Sequence, residues 1–152
     1  MESEPPLNVS LLPVTPDLEP AVIALRVRPG QERFVASNEK SLADARAYPS
    51  CKPFAICADG VPVGFLMIRH HYPDEHDYYL LRLMIDARYQ GRGYGAAALR
   101  QLIRHVRTLP GATALRTSYD EGEGSAGGFY ARPGFLATGD MNDGEVELIL
   151  PL

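Results

Sequence analysis

The chain has little thiol chemistry. Cys51 and Cys57 are its only cysteines in 152 residues, and they lack C-x-x-C spacing. So sparse a content in an otherwise ordinary chain points to a reducing compartment. Histidine is scarce too. His70 and His71 are adjacent, on a strand they would face opposite sides, and with His76 and His105 they show no metal-ligand spacing, so no metal is expected. No hydrophobic run approaches a membrane span. The opening Met1-Glu2-Ser3-Glu4-Pro5-Pro6 is acidic where a signal peptide would be basic. An excess of positive charge is also missing. Fifteen basic against nineteen acidic residues leave a net charge of −4, which argues against a nucleic-acid partner and leaves a small cationic substrate open. Repeats, low-complexity tracts and domain linkers are absent. The expectation is a cytoplasmic protein that does not enter membranes, with a disordered leader over 1–6 and a single domain over 7–152.

With 45% hydrophobic content there is enough apolar material for a core. The chain is organised around residues 80–109. Leu80-Leu81-Arg82-Leu83-Met84-Ile85 is an apolar run with one charged interruption, which predicts a buried strand. It breaks at Asp86-Ala87-Arg88-Tyr89 and enters Gln90-Gly91-Arg92-Gly93-Tyr94-Gly95-Ala96. Ala98, Leu102, Val106 and Leu109, widened by Leu99 and Ile103, then recur at helical steps until Pro110-Gly111. A strand, a glycine turn and a helix N-terminus form an anion cradle. Glycines let the backbone approach an oxygen-rich ligand, the first helical N–H groups have no partner, and Arg92 adds a cation. The cradle is not a P-loop, because Ala96-Ala97 stands where Lys-Ser/Thr would follow the last glycine. The dinucleotide fingerprint fits Gly91, Gly93 and Ala96 in spacing, but its setting is an early parallel βαβ unit, and the chain before residue 80 reads as hairpins.

Residues 7–14 alternate as a first strand. Thr15 is the expected N-cap of a helix whose stripe is Leu18, Ala21, Val22 and Leu25, ended by Arg28-Pro29-Gly30. A capping box at Ser41-Leu42-Ala43-Asp44 predicts a second helix, stopping before Tyr48-Pro49. Between them, residues 31–38 have no clear period and read by spacing alone as a solvated connector anchored by Phe34 and Val35. Strands follow at 54–58, 61–72 and 78–86, with Asp59-Gly60 as a hairpin turn. Beyond the central helix come a strand at 114–119, a short helix around 125–131, and a final pair at 135–139 and 145–150. The order β-α-α-β-β-β-α-β-α-β-β predicts an α/β (α+β) fold, a mixed, mostly antiparallel sheet of about seven strands flanked by about four helices.

Gln90-x-x-Gly93-x-Gly95 resembles the Q/R-x-x-G-x-G/A acyl-CoA signature of the GNAT superfamily of N-acetyltransferases, and the element order resembles its fold over nearly the whole chain. The bacterial spermine/spermidine (diamine) acetyltransferases are the nearest resemblance. It is carried by Phe34-Val35-Ala36-Ser37-Asn38 with Ala45 and Tyr48-Pro49, by Leu81 to Gly95, and by Phe129-Tyr130 with Gly134-Phe135. This implies acetyl-CoA as co-substrate and a small-molecule amine, best a polyamine or diamine, as acceptor. Backbone groups of Met84 and Ile85 would take the pantetheine arm, and Gln90, Gly91, Arg92, Gly93, Gly95 and Ala96 would form the pyrophosphate turn. Tyr130 would be the general acid, and Phe34, Asn38 and Arg82 would stand on the substrate side. Glu123 departs from the family, which often carries asparagine there.

Acetyl transfer to an alkyl amine needs a proton acceptor, because the amine, with a pKa of about 10.4, arrives protonated. Where some family members have a glutamate, the central strand has Tyr78 and Tyr79, then Arg82, which is either paired with a carboxylate or turned to the cleft. Glu32, Glu39, Asp86 or a water could relay the proton. Asp74, Glu75 and Asp77 are a further acidic group, read as a solvated turn. A non-catalytic acyl-CoA sensor and other acceptors (amino acid, aminoglycoside, protein N-terminus or lysine) remain alternatives. Whether the chain is a monomer or a homodimer stays open.

Overall fold

The structure is a computed structural model, and it describes residues 8–31, 36–121 and 127–152. The strands are β1 (Val9–Pro13), β2 (Cys51–Ala58), β3 (Val61–His70), β4 (Asp77–Ile85), β5 (Ala114–Asp120), β6 (Leu136–Asn142) and β7 (Glu145–Pro151). The helices are α1 (Glu19–Ala24), α2 (Asn38–Ala47), α3 (Tyr94–Arg107) and α4 (Gly127–Ala131), with a 3-10 turn at Ala87–Tyr89. The strands form one sheet in the order β1-β2-β3-β4-β5-β7-β6, antiparallel except for β4 against β5. The predicted order of elements and the mostly antiparallel sheet are both present.

Each face of the sheet has its own core. On one, α3 buries Ala97, Ala98, Leu99, Leu102, Ile103 and Val106 against Ile56, Leu66, Ile68, Tyr78, Leu80 and Leu115. On the other, α1 and α2 bring Val22, Leu25 and Leu42 onto Ala55, Cys57, Phe65, Met67 and Met84. The period-two alternation of β3 and β4 divides these residues between the faces. Asp59-Gly60 turns with both residues at positive φ, 50° and 82°, the geometry of a type I′ hairpin.

Three local expectations are corrected. Thr15 does not cap α1. Its carbonyl accepts from Leu18 and Glu19 in a turn, and the helix proper starts at Glu19 with Pro20 in its first turn. The helix α2 begins three residues before the predicted box, because Ser37 is the N-cap and accepts from the Lys40 N–H at 3.2 Å, while Ser41 is buried inside. His71 has left the strand with φ 56°, so His70 and His71 do not part across the sheet, and both rings lie against Tyr78. The leader 1–6, Glu32, Phe34, Val35 and Glu123 lie outside the described residues.

Candidate active site

The sheet opens where its one parallel pair ends. Strands β4 and β5 match only Asp77 with Ala114, Tyr78 with Leu115 and Tyr79 with Arg116. Just beyond, the Thr117 hydroxyl donates to the Leu80 carbonyl at 3.0 Å, a last bridge across the widening gap. The other edge of β4 explains the divergence. Arg82 pairs with Met67 but Leu80 with Ile68, which leaves Leu81 as an extra residue, a bulge that bends the strand.

Alternation then decides which backbone groups face the gap. The Asp86 N–H donates to the Val63 carbonyl at 2.8 Å, so Met84, two residues back, also turns its N–H and C=O to β3. Leu83 and Ile85 point theirs away from β3, toward the gap. The Met84 backbone is therefore committed to the sheet, and Leu83 replaces it as a free-edge residue. Gly64 of β3 permits this close pairing. A Cβ there would overlap the Met84 carbonyl oxygen and come 2.7 Å from Ile85 Cδ1.

At the end of β4, polar groups lock the turn. Asp86 accepts from the N–H groups of Arg26 and Arg88, both at 2.9 Å, and from Arg88 Nε at 2.8 Å. Burial alone would raise its pKa, but these donors outweigh burial and hold it below the usual carboxylate value. Asp86 is thus an ionised clamp between α1 and the turn, and it does not line the cavity described below. Gln90 Nε2 donates to the Ile85 carbonyl at 2.8 Å and to Gln31 Oε1 at 2.9 Å, so its side chain staples the turn. Gly91 and Gly93 hold φ of 78° and 85°, where a side chain is strained. Gly93 caps α3, and the first helical bond runs from Ala97 N–H to the Gly93 carbonyl. The N–H groups of Tyr94, Gly95 and Ala96 are left without helical partners, and no acidic residue stands in that first turn to neutralise them. Arg92 is exposed outside the cavity wall, its guanidinium 5.7 Å from the Tyr89 ring centroid.

A cavity of about 960 Å³ runs from this turn into the gap, lined by β4 from Tyr79 to Ile85, by Gly91 and Gly93 to Ala96, by Thr117 to Asp120 and by Tyr130. Tyr130 is buried on the α3 side between Phe129 and Phe135, at ring distances of 5.1 and 5.6 Å. Burial pushes its phenol up to about 12, against a smaller opposing effect of the Thr117 hydroxyl beside it. The group stays protonated at any ordinary pH. On the opposite face, Tyr79 donates to Glu147 at 2.8 Å and Ser118 donates to Glu145 at 2.7 Å. Arg82 also lines the cavity. Its Nη1 donates to the Leu81 carbonyl at 2.9 Å, its buried Nε has no partner, and no carboxylate pairs with it among the described residues.

The family model of the acetyltransferase (GNAT) family matches residues 20–135. The chain belongs to that family. A curated relative, the spermine/spermidine N(1)-acetyltransferase of Bacillus subtilis (strain 168), is 30% identical over 96% of this chain and all of its own length. Among solved structures, an acetyltransferase from Thermus thermophilus is similar with a TM-score of 0.76 at 27% identity, over 96% of this chain and 98% of that one. An aminoglycoside acetyltransferase in complex with coenzyme A has a TM-score of 0.79 over 94% of each chain, a likeness of fold at 17% identity. This GNAT protein is an acetyl-CoA-dependent N-acetyltransferase.

Not every predicted site residue of the acetyltransferase lies at the cavity. Asn38 is buried outside the lining, donating to the Val22 carbonyl at 2.9 Å and meeting Sδ of the lining residue Met84 at 3.7 Å. From the same stretch Ala36 does reach the lining. Glu39 is exposed outside the lining, and Asp77 is buried in an ion pair with Arg116 at 3.1 Å. Sequence reasoning missed Gly64, Thr117, Ser118 and Glu145. Only Gly64 carried a signal, a glycine interrupting a strand.

Proposed function

We propose that this chain transfers the acetyl group of acetyl-CoA to a primary amine of a small molecule, with a polyamine or diamine as acceptor and residues 7–152 as one catalytic domain acting in the cytoplasm. The observation that carries the reading is the unpaired edge of β4 ending at a helix N-terminus with no acidic neighbour. Backbone groups of Leu83 and Ile85 can pair with the pantetheine amides as a neighbouring strand would. The N–H groups of Tyr94, Gly95 and Ala96 and the glycine backbone at Gly91 and Gly93 can receive the pyrophosphate. The cofactor supplies the activated acetyl group. Tyr130 supplies a proton, or a hydrogen bond, to the departing sulfur, and its high pKa keeps that proton in place until it is needed.

The polyamine assignment rests on the curated relative named for spermine and spermidine. Arg82 favours a second acceptor class, an amine that also bears a carboxylate, because its buried Nε lacks a partner among the described residues. A panel of spermidine, spermine, putrescine, amino acids and aminoglycosides with acetyl-CoA, read by thiol release, separates them. Turnover of polyamines alone supports the first. Turnover of amino acids alone replaces it with the second, and no turnover with any amine, despite acetyl-CoA binding, would leave an acyl-CoA sensor.

A further inference from the structure

We infer that Glu145 is the proton acceptor for the attacking amine. This deepens the acetyl-transfer reading and rests on it. A nitrogen that arrives as an ammonium must lose protons as the C–N bond forms, and the part of β4 that lines the cavity offers no carboxylate for this, since Asp77 is paired with Arg116 outside the lining. Among the described residues, the carboxylates lining the cavity are Asp120 and Glu145. Asp120 is exposed at the rim. Glu145 is half-buried at the start of β7, and its Oε2 accepts from Ser118 Oγ at 2.7 Å. Its Oε1 has no hydrogen-bond partner among the described residues.

The two faces of the sheet make the assignment specific. Thr117, Tyr119, Val146 and Leu148 lie on the α3 side with Tyr130. Ser118, Glu145 and Glu147 alternate to the other side, with Tyr79. The gap between β4 and β5 thus has a phenol on one side and a carboxylate on the other. The reaction needs that separation, since one proton is taken from nitrogen and another is given to sulfur. Glu147 is the neighbouring candidate, but it is outside the cavity lining and already accepts from Tyr79.

The step balances. Glu145 takes the first proton from the bound ammonium and releases it to solvent, and the nitrogen lone pair forms the C–N bond while the carbonyl π pair moves to oxygen. Glu145 accepts the remaining excess proton from nitrogen. The oxygen pair re-forms the carbonyl, the C–S bond breaks with its electrons on sulfur, and Tyr130 protonates the sulfur. Glu145 passes its proton back to Tyr130 through water. The products are an amide, a free thiol and one solvent proton.

The test measures kcat/KM against pH for the parent, Glu145→Gln, Glu147→Gln and Ser118→Ala, together with acetyl-CoA affinity and melting temperature. Glu145→Gln should lose about 10² to 10⁴-fold at neutral pH, with cofactor affinity and melting unchanged. The loss should shrink as pH approaches the pKa of the amine, where the nucleophile no longer needs a strong acceptor. Glu147→Gln should lose much less. Ser118→Ala, which keeps the carboxylate but removes the hydroxyl that aims it, should give a partial loss with the same pH pattern, and it decides the matter if Glu145→Gln does not fold. A parent without turnover on any amine overturns the acetyl-transfer reading and this assignment with it. A turning-over parent whose Glu145→Gln form keeps full rate, or whose Ser118→Ala form shows no pH-dependent loss when Glu145→Gln is unfolded, overturns the assignment alone. So does a loss in Glu145→Gln that is equal at every pH.

Discussion

Replacing Gly64 with alanine should damage acetyl-CoA binding although Gly64 itself does not line the cavity. The added Cβ would overlap the Met84 carbonyl oxygen and approach Ile85 Cδ1 to 2.7 Å and Ile56 Cδ1 to 3.2 Å. The side chains can rotate, but the carbonyl belongs to the paired edge of β4 and can move only with the strand. Overpacking of this kind costs about 1–3 kcal/mol. For a chain of this length that converts to a fall of roughly 2–12 °C in melting temperature, at 2–4 °C per kcal/mol. The displaced segment carries Leu83 and Ile85 and the Ile85 carbonyl that Gln90 staples at 2.8 Å. A further ~1.4 kcal/mol lost from the cofactor site would appear as a tenfold weaker acetyl-CoA affinity. Gly128→Ala is the control, because a Cβ there meets nothing within 4 Å and α4 should tolerate it or gain slightly. Thermal melts and calorimetric titration of acetyl-CoA read both effects. If Gly64→Ala melts and binds like the parent, β4 is not held by the close approach argued here, and the account of its open edge fails.

Three further outcomes are expected. Tyr130→Phe should lower kcat by about 10² to 10⁴-fold while acetyl-CoA affinity stays near the parent; near-full turnover would make Tyr130 a core residue only. Acetyl-CoA should raise the melting temperature of the parent by mass action, and Gly93→Val should remove that shift, because valine at a φ of 85° distorts the cap of α3 and blocks the backbone approach. The phenol of Tyr130, at about 12 against an ordinary 10, favours the protonated form in the folded state, so its contribution is complete below pH 10 and is lost as pH rises through about 12. At 1.36 kcal/mol per unit this is on the order of 2–3 kcal/mol, so Tyr130→Phe should lose stability less steeply than the parent in urea melts taken from pH 9 to 12.

The repeating patterns were legible in the sequence and the exceptions were not. The central helix could be read because Ala98, Leu102 and Val106 recur with the period of a helix, and all three are buried. The hairpin at Asp59-Gly60 carries its own turn chemistry. Helix starts were harder, since Ser37 and Ser41 are both capping residues and only packing selects between them. The His70-His71 pair misled because His71 leaves the strand, and a single positive φ cancels the alternation. At the site, the glycine turn was readable from composition. The β4 bulge was not, because an extra residue has no signature in a run of leucines, and without it Met84 rather than Leu83 appears to face the gap. Glu145 was invisible for a similar reason. It sits 25 residues from the nearest other described acidic wall residue, Asp120, and only the β5–β7 pairing brings the two together.

An unpaired β-strand edge inside a protein is costly, since each buried peptide group left without a partner loses about 1–3 kcal/mol. Here the edge is held open by separate devices. The Leu81 bulge bends β4, the Thr117 bridge ends its pairing with β5, the contact under Gly64 fixes its other edge, and Asp86 and Gln90 anchor its end. Water can satisfy such an edge, but a ligand with amides at peptide-like spacing satisfies it and adds burial. The same devices leave Tyr130 on one flank of the gap and Glu145 on the other, the acid and the acceptor proposed above. Binding and chemistry therefore depend on the same break in the sheet, and a substitution that let β4 and β5 close up would remove both together.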